Sequence, residues 1–237
     1  SGVFADAAYY ETIHAGKQQN VAADFRVKKY RLDFSMGLNL TGSAKVYVDR
    51  SELKSYRFTL YHGYKVKQVT DQTGAALDFR REHDYVTVTR GEAAVEYLCL
   101  EYTGKSPKYY SSYAGVCLPA NFAYYPIPGY RELFKDSFYG FIDCSLPYDT
   151  AFDVRCSGRK QMYCNLAARG DNHFAGNARS VTLLSGYYDT LKLNDTLVVY
   201  PKYADGEIRA RIKKNMGTFT KEHRDIRTIF IMDADNL

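Results

Sequence analysis

Five histidines, His14, His62, His83, His173 and His223, and five cysteines, Cys99, Cys117, Cys144, Cys156 and Cys164, are the side chains best suited to grip a metal or attack a carbonyl. No two histidines stand at the i, i+4 spacing that sets both imidazoles on one helix face, and no H-E-x-x-H occurs. Glu82-His83 and Glu222-His223 carry the acid before the imidazole, have no second ligand beside them, and read as surface pairs. The cysteines form no C-x-x-C pair, which argues against a closed zinc cage. Cys144 and Cys156 flank Pro147-Tyr148-Asp149 at a spacing that a hairpin could bring together, so they are the candidate disulfide, with burial as small apolar thiols the alternative. The sequence holds no G-x-S-x-G elbow and no glycine-rich phosphate cradle, and nothing marks Cys117 as an activated thiolate. The expectation is of no catalytic residue, no metal ligand and no cofactor within these residues.

What stands out instead is aromatic. Residues 101–130 (EYTGKSPKYYSSYAGVCLPANFAYYPIPGY) hold Pro107, Pro119, Pro126 and Pro128 and a dense set of tyrosines. Proline fixes φ and donates no hydrogen bond, so this stretch is neither a long helix nor a central strand. It reads as an ordered loop that either lids a core or presents a surface, because tyrosine combines apolar area with a polar tip. Tyr109, Tyr110, Tyr113, Tyr124, Tyr125 and Tyr130 are the candidate contact surface.

The elements that must position such a loop are strands. Twenty-three Tyr, thirteen Phe and no Trp tilt the composition toward sheet, and 46% hydrophobic with 25% charged residues is the balance of a globular chain. From Val21 the apolar positions recur every second residue. Phe25, Val27, Tyr30, Leu32 and Phe34, then Leu40, Ala44, Val46 and Val48, predict two long strands around Met36-Gly37. Strands are expected near 56–60, 77–79, 84–89 and 95–102, with a turn at Asp71-Gln72-Thr73-Gly74, and a second series near 137–144, 151–156, 161–165, 180–184 and 197–200. The pattern is that of an antiparallel β-sandwich.

Two segments differ. Residues 1–20 suit a short helical or linker segment. After Asp205-Gly206 the period changes to 3.6, with Ile208, Ile212, Met216 and Phe219 on one helix face, followed by the buried-strand pattern TIFIM. The expected division is therefore 1–20, a β-domain over 21–204, and a helix–strand extension over 205–237 that begins a second domain.

The net charge of +5 comes from 32 basic residues interleaved with 27 acidic ones, a solvated surface rather than a nucleic-acid face. The densest cluster is Arg209, Arg211, Lys213 and Lys214. No stretch approaches the roughly 18 apolar residues of a membrane span. With Ser1 at its head and an apolar run near its end, the chain reads as a piece of something longer or a processed product. Two sequons begin at Asn39 and Asn194.

The run VEYLCLEYTG, the Leu-Pro and Tyr-Tyr-Pro loop, then MYCNL and VTLLSGY, resemble the N-terminal β-domain of the aminopeptidase-N-type zinc metallopeptidases. Tyr97-Leu98-Cys99-Leu100-Glu101-Tyr102-Thr103-Gly104 stands where that family has L-x-I-x-Y-x-G, and Cys164-Asn165 where it has a Ser-Asn pair. The helix of 206–219 and TIFIM look like the start of the family's catalytic domain. The resemblance implies a mainly β, saddle-like fold, and it places the G-x-M-E-N loop and the zinc-binding H-E-x-x-H beyond Leu237, so no catalytic residue carries over.

FTLYHGYKVKQVTD, SPKYYSSYAGVCLP and YYPIPGY also resemble extracytoplasmic segments of bacterial ABC-transporter permease-like membrane proteins that carry such a domain. The leading expectation is a non-catalytic extracytoplasmic scaffold at the bacterial cell membrane. Its partners would be flanking transmembrane segments, an ATPase subunit of the parent, and a protein, peptide or glycan ligand, with no nucleic acid. The rival expectations are the front part of a zinc aminopeptidase and a glycan- or peptide-binding module built on tyrosines.

Overall fold

Alternation along the first strand pair sets the architecture: Tyr30, Leu32 and Phe34 are buried, while Arg31 and Asp33 between them face outward. The computed structural model describes residues 20–37, 39–105, 115–119, 123–133, 144–158 and 160–231. The helix expected within 1–20 and nearly all of the strand expected over 137–144 lie outside them. In chain order the strands are β1 (Val27–Met36), β2 (Leu40–Val48), β3 (Ser55–Thr59), β4 (Tyr64–Thr70), β5 (Phe79–Glu82), β6 (Tyr85–Thr89), β7 (Tyr97–Gly104), β8 (Gly115–Leu118) and β9 (Ile127–Pro128). There follow β10 (Thr150–Ser157), β11 (Met162–Cys164), β12 (Ala167–Gly170), β13 (His173–Ala178), β14 (Leu183–Gly186), β15 (Tyr188–Leu193), β16 (Thr196–Pro201), helix α1 (Gly206–Glu222) and β17 (Thr228–Phe230).

A seven-stranded sheet runs in the order β12-β13-β10-β1-β2-β7-β4, and its inner face carries the main core. Against that face lie the four-stranded sheet β5-β6-β3-β9 and the three-stranded sheet β11-β14-β8. The latter has apolar residues on both sides: Leu183 joins the main core and Leu184 a second cluster with Cys117, Tyr188 and Val199. That second cluster seats the three-stranded sheet β15-β16-β17. The fold is the mainly β sandwich expected, and most neighbouring strands are antiparallel; β1 with β10 and β16 with β17 are parallel.

The register of the large sheet shifts at three points, between Val27 and Lys29, Val66 and Gln68, and Ala168 and Gly170. The residue skipped is basic each time: Lys28, Lys67 and Arg169. Strands β4 and β12 are the sheet's two edges. A bulge carrying a cation turns an open edge away from pairing with another chain.

Parallel strands need a crossover, and α1 supplies it between β16 and β17. Asp205 caps the helix, its Oδ1 accepting from Ile208 N at 2.8 Å, with Glu207 in the first turn and Lys221 in the last. Thr220 is buried and accepts from Asn194 Nδ2 at 2.9 Å, so the second sequon's side chain is already engaged in packing the helix. The helix–strand extension thus shares a sheet with residues on the other side of position 204, because β17 needs β16 as its ladder partner. Among the described residues no helix is long and apolar enough to cross a membrane.

The disulfide expected between Cys144 and Cys156 does not form, and all five cysteines are free thiols. Instead of a hairpin, the chain after Cys144 enters β10. Leu146 N donates to Arg179 O, which ties this segment to the Thr150 end of the strand, beside the Thr150–Ala178 pair. Six extended residues then carry Cys156 roughly 20 Å away, beyond the reach of a disulfide.

Candidate functional site

The proline-fixed segment runs beneath the large sheet and is stitched there by its backbone. Ile127 and Pro128 form β9 against β3, Gly129 N donates to Arg57 O, and Thr59 Oγ1 donates to Gly129 O at 2.8 Å. Gly129 takes φ +85°, and a Cβ there would lie 2.6 Å from Val21 O, so glycine is required at this close approach. The two tyrosines just ahead are driven inward. Tyr124 and Tyr125 are fully buried, which removes them from the expected contact surface: they are core residues.

Their rings pack on the inner face of the sheet, Tyr125 edge-on to Tyr30 at 5.4 Å and Tyr30 stacked on Phe152 at 5.0 Å. Each hydroxyl finds a backbone partner. Tyr30 donates to Pro126 O at 2.9 Å, Tyr102 to Tyr124 O at 2.8 Å and Tyr124 to Val181 O at 2.9 Å, while Tyr125 Oη accepts from Val181 N at 3.4 Å. Burial away from water pushes all four phenols well up, with neighbouring phenols adding to the effect on Tyr30, Tyr102 and Tyr124. Tyr130 is half-buried, hydrogen-bonded to Thr87 and packed on Tyr85 at 4.6 Å. Tyr109, Tyr110 and Tyr113 lie outside the described residues.

Among the described residues, His62, His83 and the cysteines are also placed for structure. Asp84 is fully buried and accepts from His62 N at 2.5 Å, with His62 Nδ1 at 3.1 Å from the same oxygen. Arg81 donates from Nη2 to Leu60 O and Tyr61 O and from Nε to His83 O, and burial pulls its pKa down to about 10, partly offset by Asp84. This knot fastens the turn after β3 to the β5–β6 hairpin. Burial pushes the Cys117, Cys156 and Cys164 thiols up to about 12, the opposite of nucleophile activation. Among the described residues no group of three or more His, Cys, Asp and Glu side chains could hold a metal.

The outer face of the seven-stranded sheet is where accessible polar and aromatic groups converge. Register aligns its outward residues in rows across the strands. One row reads Lys29, Tyr47, Tyr97; the next Asp153, Arg31, Lys45, Cys99; the next Arg155, Asp33, Ser43, Glu101, Gln68. Tyr47 and Tyr97 are directly opposed with ring centroids 4.8 Å apart, Lys45 Nζ lies 5.2 Å from the Tyr97 ring, and Lys29 Nζ lies 5.9 Å from that of Tyr47. Arg31 Nε is covered yet makes no hydrogen bond, Asp33 Oδ2 standing 3.8 Å away. Asp153 is held by His173 Nε2 at 2.9 Å and Arg155 Nε at 3.6 Å.

A groove of about 460 Å³ opens over the third row, with Asp33, Ser43, Glu101, Arg155, Lys67 and Ser35 among its lining. Alternation in the sequence identified these residues as outward-facing. Only the pairing of strands far apart in sequence, such as Asp33 with Arg155, brings them together.

No protein-family model matches the sequence, and no curated protein matches it. Solved structures do. Native leukotriene A4 hydrolase from Saccharomyces cerevisiae aligns with 92% of this chain and 40% of its own length, at 9% identity and a TM-score of 0.62. The yeast hydrolase in complex with bestatin aligns with 90% of this chain and 39% of its own, at 11% identity and 0.63. An aminopeptidase N family protein from Idiomarina loihiensis aligns with 85% of this chain and 38% of its own, at 9% identity and 0.56. At such identities the likeness is one of fold: the chain has the architecture of the N-terminal β-domain in those structures. It spans about 40% of the length of the yeast hydrolase.

Proposed function

We propose that this chain is the front, non-catalytic part of an aminopeptidase-like protein, a rigid β-domain joined through α1 and β17 to the beginning of a catalytic domain. One observation carries the reading: the fold likeness runs through nearly the whole chain, yet ends well short of the length of the proteins it resembles. In this reading the seven-stranded sheet is a frame. Its inner face is sealed by interlocked tyrosines, and the β16–α1–β17 unit hands the chain on to the part that would carry zinc.

The test is to read the coding sequence beyond Leu237 and to assay release of p-nitroaniline from aminoacyl-p-nitroanilides. The expected outcome is no turnover by this chain, an H-E-x-x-H with a later Glu downstream, and turnover by the parent that a chelator abolishes. Turnover by the 237-residue chain alone overturns the proposal.

A second reading rests on the likeness of FTLYHGYKVKQVTD and YYPIPGY to extracytoplasmic permease segments. It makes the domain a scaffold at a bacterial cell membrane, with flanking transmembrane segments and an ATPase subunit as partners. An apolar span of membrane length downstream, with no zinc motif, selects it over the first.

A further inference from the structure

We infer that the outer face of the seven-stranded sheet is a docking surface for an acidic oligosaccharide, lying across β10, β1, β2 and β7 from the groove at Asp33 and Glu101 to the Tyr47–Tyr97 pair. Of the loop tyrosines, Tyr124 and Tyr125 are spent on the core. On the large sheet, Tyr47 and Tyr97 are a half-exposed cross-strand pair facing out. The four strands span about 14 Å, three inter-strand spacings, wide enough for a short chain of sugar rings rather than a single small molecule.

The recognition chemistry is mixed in the way a hydroxyl-rich ligand requires. Asp33 and Glu101, separated by Ser43 in one row, are acceptors for sugar hydroxyls, and Arg155 and Lys67 at the same groove are donors. At the aromatic end cations predominate. Lys29 and Lys45 lie over the two rings there, while Arg31 stands 3.8 Å from Asp33 and Asp153 is engaged by His173 and Arg155.

A ligand carboxylate therefore belongs beside Lys29 and Lys45, with its sugar face on Tyr97, while neutral hydroxyls belong at Asp33 and Glu101. An acidic peptide fits less well, because its run of carboxylates would meet Asp33 and Glu101.

The test is isothermal titration calorimetry of the full chain with a hexasaccharide of neutral sugars ending in a single glucuronate, with cellohexaose, and with a polyglutamate peptide. The acidic hexasaccharide is expected to bind saturably, and both other probes about ten-fold or more weaker. Tyr97→Ala is expected to weaken the hexasaccharide about ten-fold. Lys45→Glu, which keeps both rings, is expected to do the same and guards against a folding defect in the first variant. Glu101→Gln, which keeps an acceptor, is expected to retain most of the binding. No saturable binding, polyglutamate binding as tight as the saccharide, or affinity unmoved by Lys45→Glu overturns the inference.

Discussion

Tyr97 and Tyr102 stand on the same strand, β7, five residues apart, and an odd separation puts them on opposite faces of the sheet. Tyr102 points inward, is fully buried and spends its hydroxyl on Tyr124 O. Tyr97 points outward, is half-exposed, and packs on Tyr47 under the Lys45 ammonium. Further along the sheet the contrast repeats, with Tyr30 of β1 inside and Tyr47 of β2 outside. One residue type does two jobs, and the face decides which. Inside, ring area and a satisfied hydroxyl hold the large sheet to what packs on its inner face. Outside, the same ring keeps its polar tip and a cation within reach of a ligand.

The contrast can be tested by truncation first. Tyr124→Ala is expected to remove about 3–5 kcal/mol of stability in urea unfolding, whereas Tyr97→Ala costs about 1 kcal/mol. Equal losses would break the distinction between the faces. Alkaline unfolding gives the next largest effect. Tyr30, Tyr102, Tyr124 and Tyr125 are held neutral in the fold and ionise on unfolding, so stability is full below pH about 10 and falls as pH rises above it. Each contributes a slope of about 1.4 kcal/mol per pH unit until its folded pKa is reached. A stability curve flat to pH 12 would contradict their burial.

Removing a single hydroxyl sharpens the comparison further. Tyr102→Phe leaves Tyr124 O without its donor and is expected to cost about 1–3 kcal/mol, while Tyr97→Phe stays within about 0.5 kcal/mol, read as shifts of the urea midpoint. The smallest effect is kinetic. Cys117, Cys156 and Cys164, pushed up to about 12, are expected to resist Ellman's reagent at pH 8 in the native chain, with Cys99 on the outer face reacting ahead of them. All thiols labelling at one rate would mean the inner face is open to solvent.

Much of the architecture was legible because it is local. The alternation of β1 and β2, the turn in which Asp71 Oδ1 accepts from Thr73 N and Ala75 N, and the three-to-four spacing of α1 behind Asp205 follow from residues within one turn or strand of each other. Strand β13, HFAGNA, escaped because glycine and alanine give no apolar period; it is a strand because β10 and β12 flank it. The disulfide expectation failed for a related reason. A hairpin between Cys144 and Cys156 satisfies local spacing, but β10 is drawn out straight by its parallel ladder with β1, over 120 residues away.

The candidate site was legible only in part. Outward positions such as Tyr97, Lys45 and Asp33 could be read from the period of two, but not that they share a surface, because that is a matter of register. Prolines declared residues 126–128 a loop or edge without saying which way the preceding tyrosines turn. Backbone stereochemistry, written into the chain, determines which side chains alternate and where a helix can start. Which strands become neighbours, and which face is sealed from water, is settled by competition among distant segments to bury apolar area. Only the folded whole decides that, so the same tyrosine becomes core at 102 and surface at 97.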